Sequence, residues 1–380
     1  MSDLKNILIS GVNFQNQGAY MMLVAVADQI RSRGIGRPVI DIRWGTSRQK
    51  RAEGLSTLVA IDELGPFRSL MMDRLPKKVG HRLPVLNFKE IDAVIDASGF
   101  AFGDQWSHAR LQARADRFAF FAARNIPVVI MPQAFGPFDR TARSANTVLA
   151  SSSLLYARDP ESLNYIKQLP AYSESKVRIS HDFTVALEPR DPGDSALPFV
   201  GKVIIVPNIN IYARGNGAGY IDTLKELIES FRMSGREVAG LVHDTGRDRD
   251  IFDLLADIGC KIPVLDGLDG LQSKAVLGKS STVVSGRFHA TVSALSQGVP
   301  TVIHGWSHKY EYLAADFDVS NLLASPYDIG DSLEASKEAA GDDVKIRLAK
   351  RKQALVKGVD EMWAEIESVL NENELGQRSR

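Results

Sequence analysis

The segment Ser285-Gly286-Arg287-Phe288-His289 sets a guanidinium and an imidazole two positions apart, just after the apolar run Thr282 to Ser285. The run reads as a strand, Gly286 as a turn, and Arg287 to His289 as the start of a helix that Gly298 terminates. Arg287 and His289 are therefore expected at a helix N-terminus. There the dipole, the first backbone amides at Phe288 and His289, and a guanidinium converge on an anion. A lone histidine is more often structural than catalytic, but one beside an arginine at a strand's carboxyl end suits acid–base chemistry on an anionic substrate. The next apolar run, Thr301 to His304, leads through Gly305 and Trp306 to Lys309, which can reach the same pocket. Taken alone, Lys309 reads as a solvated lysine starting a surface helix.

In an open α/β sheet, ligands bind beyond the carboxyl ends of the strands, so the residues after each strand matter most. The first run passes into a loop from Gly11 to Gly18 that contains Asn16 and opens a helix. It reads equally as a ligand-contacting turn and as a plain glycine turn, and it lacks the dinucleotide-binding glycine spacing. Gly99 lies in a small-residue turn that lets backbone approach a ligand. Gln133, between Pro132 and Pro137, is expected on a rigid loop from which its amide orients a sugar hydroxyl. Arg158 can grip a phosphate or carboxylate, or can pair with Asp159 as a structural ion pair. Asp182 can bind ligand or cap a helix. His243 and Asp244 follow a strand, but no cluster has metal-ligand spacing, so no metal is expected. The glycine-rich Arg214 to Gly219 is a weak phosphate signal and can equally be a mobile loop.

These residues need elements to hold them. Short Val- and Ile-rich runs alternate with longer amphipathic stretches, the pattern of a parallel sheet covered by helices. Strands are expected at 6–12, 39–44, 93–97, 127–131, 154–157, 177–180, 203–207, 238–242, 262–265, 282–285 and 301–304, with helices at 17–33, 108–123, 220–233 and 249–258. The region 46–86 has little periodicity. A stretch with three prolines and a glycine, Glu188 to Pro198, resists both helix and central strand. The expected architecture is α/β: two Rossmann-like domains facing a cleft, an N-terminal one over 1–190 on the acceptor side and a C-terminal one over 198–335 on the donor side. A terminal helix over 336–370 and a frayed tail over 371–380 complete it.

Composition narrows the function. The 380 residues are 44% hydrophobic and 24% charged, which excludes disorder for most of the chain. Forty-six basic against 46 acidic side chains leave no global field for a polyanion, so no nucleic-acid partner is expected. No apolar run approaches the roughly 20 residues of a membrane helix. With a single cysteine, Cys260, and no secretory leader pattern at the N-terminus, the expected location is cytoplasmic.

The order and spacing of these pieces resemble the polysaccharide pyruvyl transferase family. The pieces are Asn16 and Gly18, Ser98-Gly99, Pro132-Gln133 with Gly136-Pro137, Arg158-Asp159 with Ser162, Asp182-Phe183, and Ser285-x-Arg287-x-His289 followed by Gly298, Pro300 and Lys309. Two positions depart from the family pattern. Ala19 stands where an aspartate is common, and Trp306 where a tyrosine is usual. The resemblance implies a fold similar to GT-B glycosyltransferases and transfer of pyruvate from phosphoenolpyruvate, the co-substrate, to two hydroxyls of a sugar. The acceptor it implies is a cell-surface polysaccharide or its precursor, possibly lipid-linked, and no further cofactor is implied.

On that reading His289 is the acid and Lys309 neutralises developing charge. Arg287, Phe288, Arg158 and Ser285 bind the donor, and Asn16, Gly18, Gly99, Gln133, Trp306 and Asp182 line the acceptor side. A helix N-terminus and Arg287 disfavour imidazolium, whereas a bound phosphate dianion favours it; full charges should outweigh a dipole worth about 1 kcal/mol. The expected pocket is cationic, with Arg158, Arg287, His289 and Lys309 unmatched by nearby acids. Two alternatives are a GT-B glycosyltransferase with a nucleotide-sugar donor and a non-catalytic binding protein.

Overall fold

The computed structural model describes residues 4–59, 85–86, 88–244 and 247–378. Chain contacts divide it into two compact units, one of Met1–Gln15, Met22–His181 and Val359–Arg380, the other of Asn16–Met21 and Asp182–Gly358.

The first unit is built on an eight-stranded sheet of order β4-β3-β2-β1-β5-β6-β7-β8. Its strands are β1 (Asn6–Ser10), β2 (Arg37–Asp41), β3 (Ser56–Leu58), β4 (Val85–Leu86), β5 (Ala93–Asp96), β6 (Val128–Gln133), β7 (Leu154–Ala157) and β8 (Val177–Ile179). All its ladders are parallel. The helices in this part of the chain are α1 (Gln17–Ser32), α2 (Ser47–Ala52), α3 (His108–Ala122), α4 (Ala142–Ser151) and α5 (Pro160–Lys167). Strands β5, β6 and β7 are buried at every position, as helices on both faces require. Leu8, Val94, Phe118, Phe121, Val128 and Ile130 belong to its core.

The second unit holds a six-stranded parallel sheet of order β11-β10-β9-β12-β13-β14. The strands are β9 (Val203–Val206), β10 (Val238–Leu241), β11 (Val264–Leu265), β12 (Thr282–Ser285), β13 (Thr301–His304) and β14 (Leu323–Ala324). Between and after them run α6 (Ile209–Arg214), α7 (Gly217–Met233), α8 (Arg249–Asp257), α9 (Gly270–Gly278), α10 (Phe288–Leu295), α11 (His308–Asp316), α12 (Ile329–Glu338) and α13 (Asp342–Arg378). The core gathers Ile204, Val206, Leu241, Leu277, Val283 and Ala290. In each sheet the strand order reverses beside the first strand, between β1 and β5 and between β9 and β12. Those are the switch points where open α/β sheets bind ligands.

The α/β class and the parallel sheets match the expectation. Strands β3, β4 and β14 were not anticipated, being only two or three residues long. Part of the weakly periodic region 46–86 lies outside the described residues. The proline-rich stretch 188–198 does not separate the units, because the chain enters the second at Asp182. Proline blocks helix and central strand there, yet the neighbouring backbone still bonds to the second unit, Arg190 N donating to Leu271 O at 3.1 Å. Helix α13 runs past the expected end at Leu370 to Arg378.

Candidate active site

At the end of β12 the Ser285 hydroxyl accepts the Arg287 amide at 3.1 Å and donates to the Arg287 carbonyl at 3.0 Å, closing a tight turn. This gives Ser285 a backbone-shaping role that the sequence did not reveal. The Gly286 carbonyl in that turn accepts from Asn208 Nδ2 and from the Tyr310 hydroxyl, both at 2.8 Å. A Cβ on Gly286 would lie 2.6 Å from Ile211 Cδ1, so glycine is needed for the close approach. Arg287 takes the extended N-cap conformation and α10 begins at Phe288, as anticipated.

The guanidinium of Arg287 is not an open anion seat, and here the expected unmatched cationic pocket must be corrected. Its Nε and Nη2 donate to the two oxygens of Asp248 at 2.8 and 2.5 Å, and Nη1 donates to Asp244 Oδ2 at 2.8 Å. The Asp248 side chain is 0% exposed, that of Arg287 14% and that of Asp244 26%. Asp248 also accepts the amides of Ile209 at 3.0 Å and Asp244 at 3.3 Å, tying the ends of β9 and β10 to that of β12. Burial opposes the Arg287 charge, but the hydrogen bond and charge of Asp248 and the charge of Asp244 outweigh it and raise the pKa. Burial raises the Asp244 carboxyl against the pull of Arg287. The two acids lie 43 and 39 positions before Arg287, which is why spacing could not reveal them.

His289 faces a carboxylate on one side and bare backbone on the other. Its Nε2 lies 4.0 Å from Asp182 Oδ2. The other oxygen of Asp182 accepts from the Thr184 amide at 2.9 Å and the Thr184 hydroxyl at 2.5 Å, capping the 3₁₀ turn Phe183–Ala186. Of its two alternative readings, Asp182 takes the capping one, and its second oxygen is turned towards His289. A Cβ on Gly18 would meet His289 Nδ1 at 2.3 Å, so the start of α1 lies directly against the ring. Asn16 accepts the Ala19 amide at 3.0 Å and caps that helix. With the aspartate of the family pattern absent, Ala19 contributes only this backbone donor.

Lys309 stands among aromatic faces rather than in bulk solvent. Its Nζ lies 4.9 Å from the Trp306 ring centre, 5.3 Å from Tyr310 and 5.4 Å from Phe288. Ring faces carry negative potential and favour the ammonium there. Phe288 is also 5.4 Å, centre to centre, from the His289 ring, so both groups neighbour it. Trp306 donates to the Tyr310 hydroxyl at 3.0 Å and lies under Arg214 at 5.3 Å.

Three expected residues belong to the first unit. Gly99 has φ +71°, a left-handed conformation, and a Cβ there would lie 2.9 Å from Met22 Cε. Gln133 is the last residue of β6 rather than a loop residue, and it is 0% exposed. Its Nε2 donates to Asp96 Oδ1 at 3.3 Å, so in this structure the amide serves the strand end. Arg158 is buried at the end of β7, and Asp159 caps α5 by accepting the Ser162 amide at 2.7 Å. The glycine-rich Arg214 to Gly219 is likewise a capping segment, since Asn216 accepts the Gly219 amide at 3.0 Å.

Other buried groups stand near the site, His243 singled out by its place after a strand and Lys274 not anticipated. Burial pushes the His243 imidazole down to about 3, and Arg287 and His289 add repulsion, which places its ring near both. Lys274 is 1% exposed, its ammonium donating to Thr184 O at 3.1 Å and to Ser296 Oγ at 3.2 Å. It joins the turn of Asp182 to the far end of α10. Burial lowers Lys274 to about 8, with Asp182 and Glu188 pulling upward. One signal was available: a lysine within α9, whose other residues are mostly apolar or small.

Several solved structures share this fold. The chain is similar to the UDP-GlcNAc 2-epimerase from Neisseria meningitidis bound to UDP-GlcNAc, with TM-score 0.60 and 14% identity over 97% of this chain and 100% of that one. It is similar to a glycosyltransferase from Rickettsia africae, with TM-score 0.59 and 11% identity over 98% and 99%. Arabidopsis thaliana UGT89C1 complexed with UDP follows with TM-score 0.57 and 12% identity over 95% and 99%. At these identities the likeness establishes the GT-B fold and no more. No curated protein sequence matches the chain significantly. The sequence model of one family, polysaccharide pyruvyl transferase, matches residues 16–308, which include the first capping residue Asn16 and the whole Arg287–His289 segment. The chain belongs to the polysaccharide pyruvyl transferase family.

Proposed function

We propose that the protein transfers the pyruvyl group of phosphoenolpyruvate to two hydroxyls of a saccharide, forming a cyclic ketal on a cell-surface polysaccharide or its precursor. The observation that carries this reading is the set around Phe288, in a chain of this family: His289 held between Gly18 and Asp182, with Lys309 near the same Phe288 ring.

One sugar hydroxyl adds to C2 of the enol phosphate and gives up its proton, while C3 takes a proton and becomes a methyl group. The C2–O bond to phosphate then breaks, phosphate leaves with the electron pair, and the second hydroxyl closes on C2 and releases its proton. His289 supplies the proton to C3 or to the departing phosphate, and Asp182, 4.0 Å away, steadies the imidazolium between cycles. Lys309 neutralises charge on the phosphate, its ammonium held by three ring faces. The first amides of α10 and an outer edge of Arg287 receive the remaining anionic oxygens, with Arg158 assigned to the donor as well. Asn16, Gly18, Gly99, Gln133 and Trp306 are assigned to the acceptor side. The balance of atoms calls for no further cofactor. Among the described residues no helix is long and apolar enough to cross a membrane. We assign the action to the cytoplasm, on a free or lipid-linked acceptor.

The test is to incubate the protein with labelled phosphoenolpyruvate and candidate saccharides and follow phosphate release. Acceptor-dependent release with label retained on the sugar is expected, and His289→Ala should abolish it while still binding the donor. The outcome that overturns the proposal is release of a nucleoside diphosphate from a nucleotide sugar with phosphoenolpyruvate untouched.

A further inference from the structure

The two carboxylates on Arg287 are not equivalent. Asp248 takes the side-on Nε/Nη2 edge, is fully buried, and has further ties to two backbone amides. Asp244 takes Nη1 alone and is the more exposed of the two. A guanidinium offers planar anions a side-on and an end-on edge. With the side-on edge filled, only the end-on Nη1/Nη2 edge remains, and Asp244 already sits on half of it. The three groups together carry one net negative charge, an unwelcoming seat for an anion.

We infer that Asp244 is an internal competitor for the anion seat of Arg287, a specificity-determining residue that a bound phosphate or carboxylate must displace. Asp248 has the complementary role, fixing the plane of the guanidinium so that the end-on edge keeps its direction. Displacement is feasible because Asp244 gives up one charged hydrogen bond on the outer side of the site, whereas Asp248 would strand a buried charge. An anion with two oxygens spaced to span Nη1 and Nη2 replaces that single contact with two. Monovalent ions with one contact gain nothing by the exchange, so the competitor selects for phosphate- and carboxylate-bearing ligands. The assignment rests on the reading above only in naming phosphoenolpyruvate as the natural anion; the seat itself is tested without it.

The experiment is calorimetric titration of the whole protein with inorganic phosphate and, separately, with phosphoenolpyruvate. Asp244→Asn should bind phosphate about fivefold more tightly than wild type, the loss of roughly one partly exposed ion pair. Asp244→Ala should do the same, and Asp244→Glu should return towards the wild-type Kd. Asp248→Asn should weaken binding. A residue with a merely structural role would weaken binding in every variant. Unchanged or weaker phosphate binding in both Asp244→Asn and Asp244→Ala overturns the inference, as does a failure of wild type and both variants to bind phosphate at all. If phosphate tightens as expected but phosphoenolpyruvate does not bind, the inference stands and the donor assignment falls.

Discussion

The imidazole of His289 rests against Gly18 so closely that a methyl group built on Gly18 would lie 2.3 Å from Nδ1. A residue near the start of the chain thereby sets the position of a ring carried by α10. Gly18 has no unusual φ, so the requirement comes from space alone.

Gly18→Ala isolates that contact. In a helix interior, alanine gains up to about 1 kcal/mol over glycine, so helix propensity alone predicts a neutral or improved protein. Displacement of the ring by even an ångström should instead lower kcat for pyruvyl transfer by about 100-fold. Steady-state kinetics alongside a thermal melt separate the two effects; wild-type kcat in the alanine variant would show that the ring does not need this wall.

Trp306 gives Lys309 its nearest aromatic face, 4.9 Å away. Trp306→Ala should remove a partly desolvated cation–π contact of about 1 kcal/mol and cut activity by about five- to tenfold. Trp306→Tyr restores a ring, and the residue usual in the family, so its activity should stay within about twofold of wild type. Equal losses in the two variants would mean that the indole is wanted for something other than its face.

Two histidines make the second unit acid-labile. Burial pushes His243 down to about 3 and His304 down to about 4. Between those values and the ordinary 6.5, the unfolded chain holds protons that the folded chain does not, so stability falls as pH falls below 6.5. Each group should cost about 2 kcal/mol by pH 5. Denaturant unfolding of wild type and His304→Gln between pH 7.5 and 5 measures this: the variant should show the shallower slope, and parallel slopes would refute the assignment.

Lys274 predicts a slope of the same sign at alkaline pH. Its ammonium, lowered to about 8 by burial, loses its proton in the fold before it does so in the unfolded chain, whose lysines titrate near 10.5. Unfolded chains then bind more protons, and stability rises from pH 8 to 9.5 by about 2 kcal/mol relative to Lys274→Met. Tm recorded for both proteins across that range is the check; a constant difference between them would place the lysine's titration elsewhere.

The fold could be read where apolar runs were long enough to be buried on both faces. The runs at β7, β12 and β13 were located to the residue, and the turn from Ser285 into α10 was legible because glycine, polar residue and apolar period agree there. Strands of two or three residues such as β4 and β14 carry too few side chains to register a period. At the site, residue types were legible and their pairings were not. Arg287 invited the reading of a free cation because Asp244 and Asp248 come from another strand end, and Lys309 was taken for a solvated lysine or a bare charge because three rings could not be seen around it. Lone-residue chemistry follows from sequence, whereas the charge a ligand meets is a sum over neighbours that only the fold assembles.

The path of α13 bears on how the chain is made. Beyond Gly358 this helix belongs to the first unit, where Glu365 accepts from Tyr156 at 2.6 Å and from Arg178 at 2.9 Å, and Asp360 accepts from Arg33 at 2.9 Å. A nascent chain that has left the ribosome as far as His181 therefore has the strands of its first sheet but lacks the helix that seats Tyr156 and Arg178. Those seats stay open while the whole 182–358 segment is synthesised. The unit begun first is finished last, and no single contiguous stretch can be expressed as either unit complete.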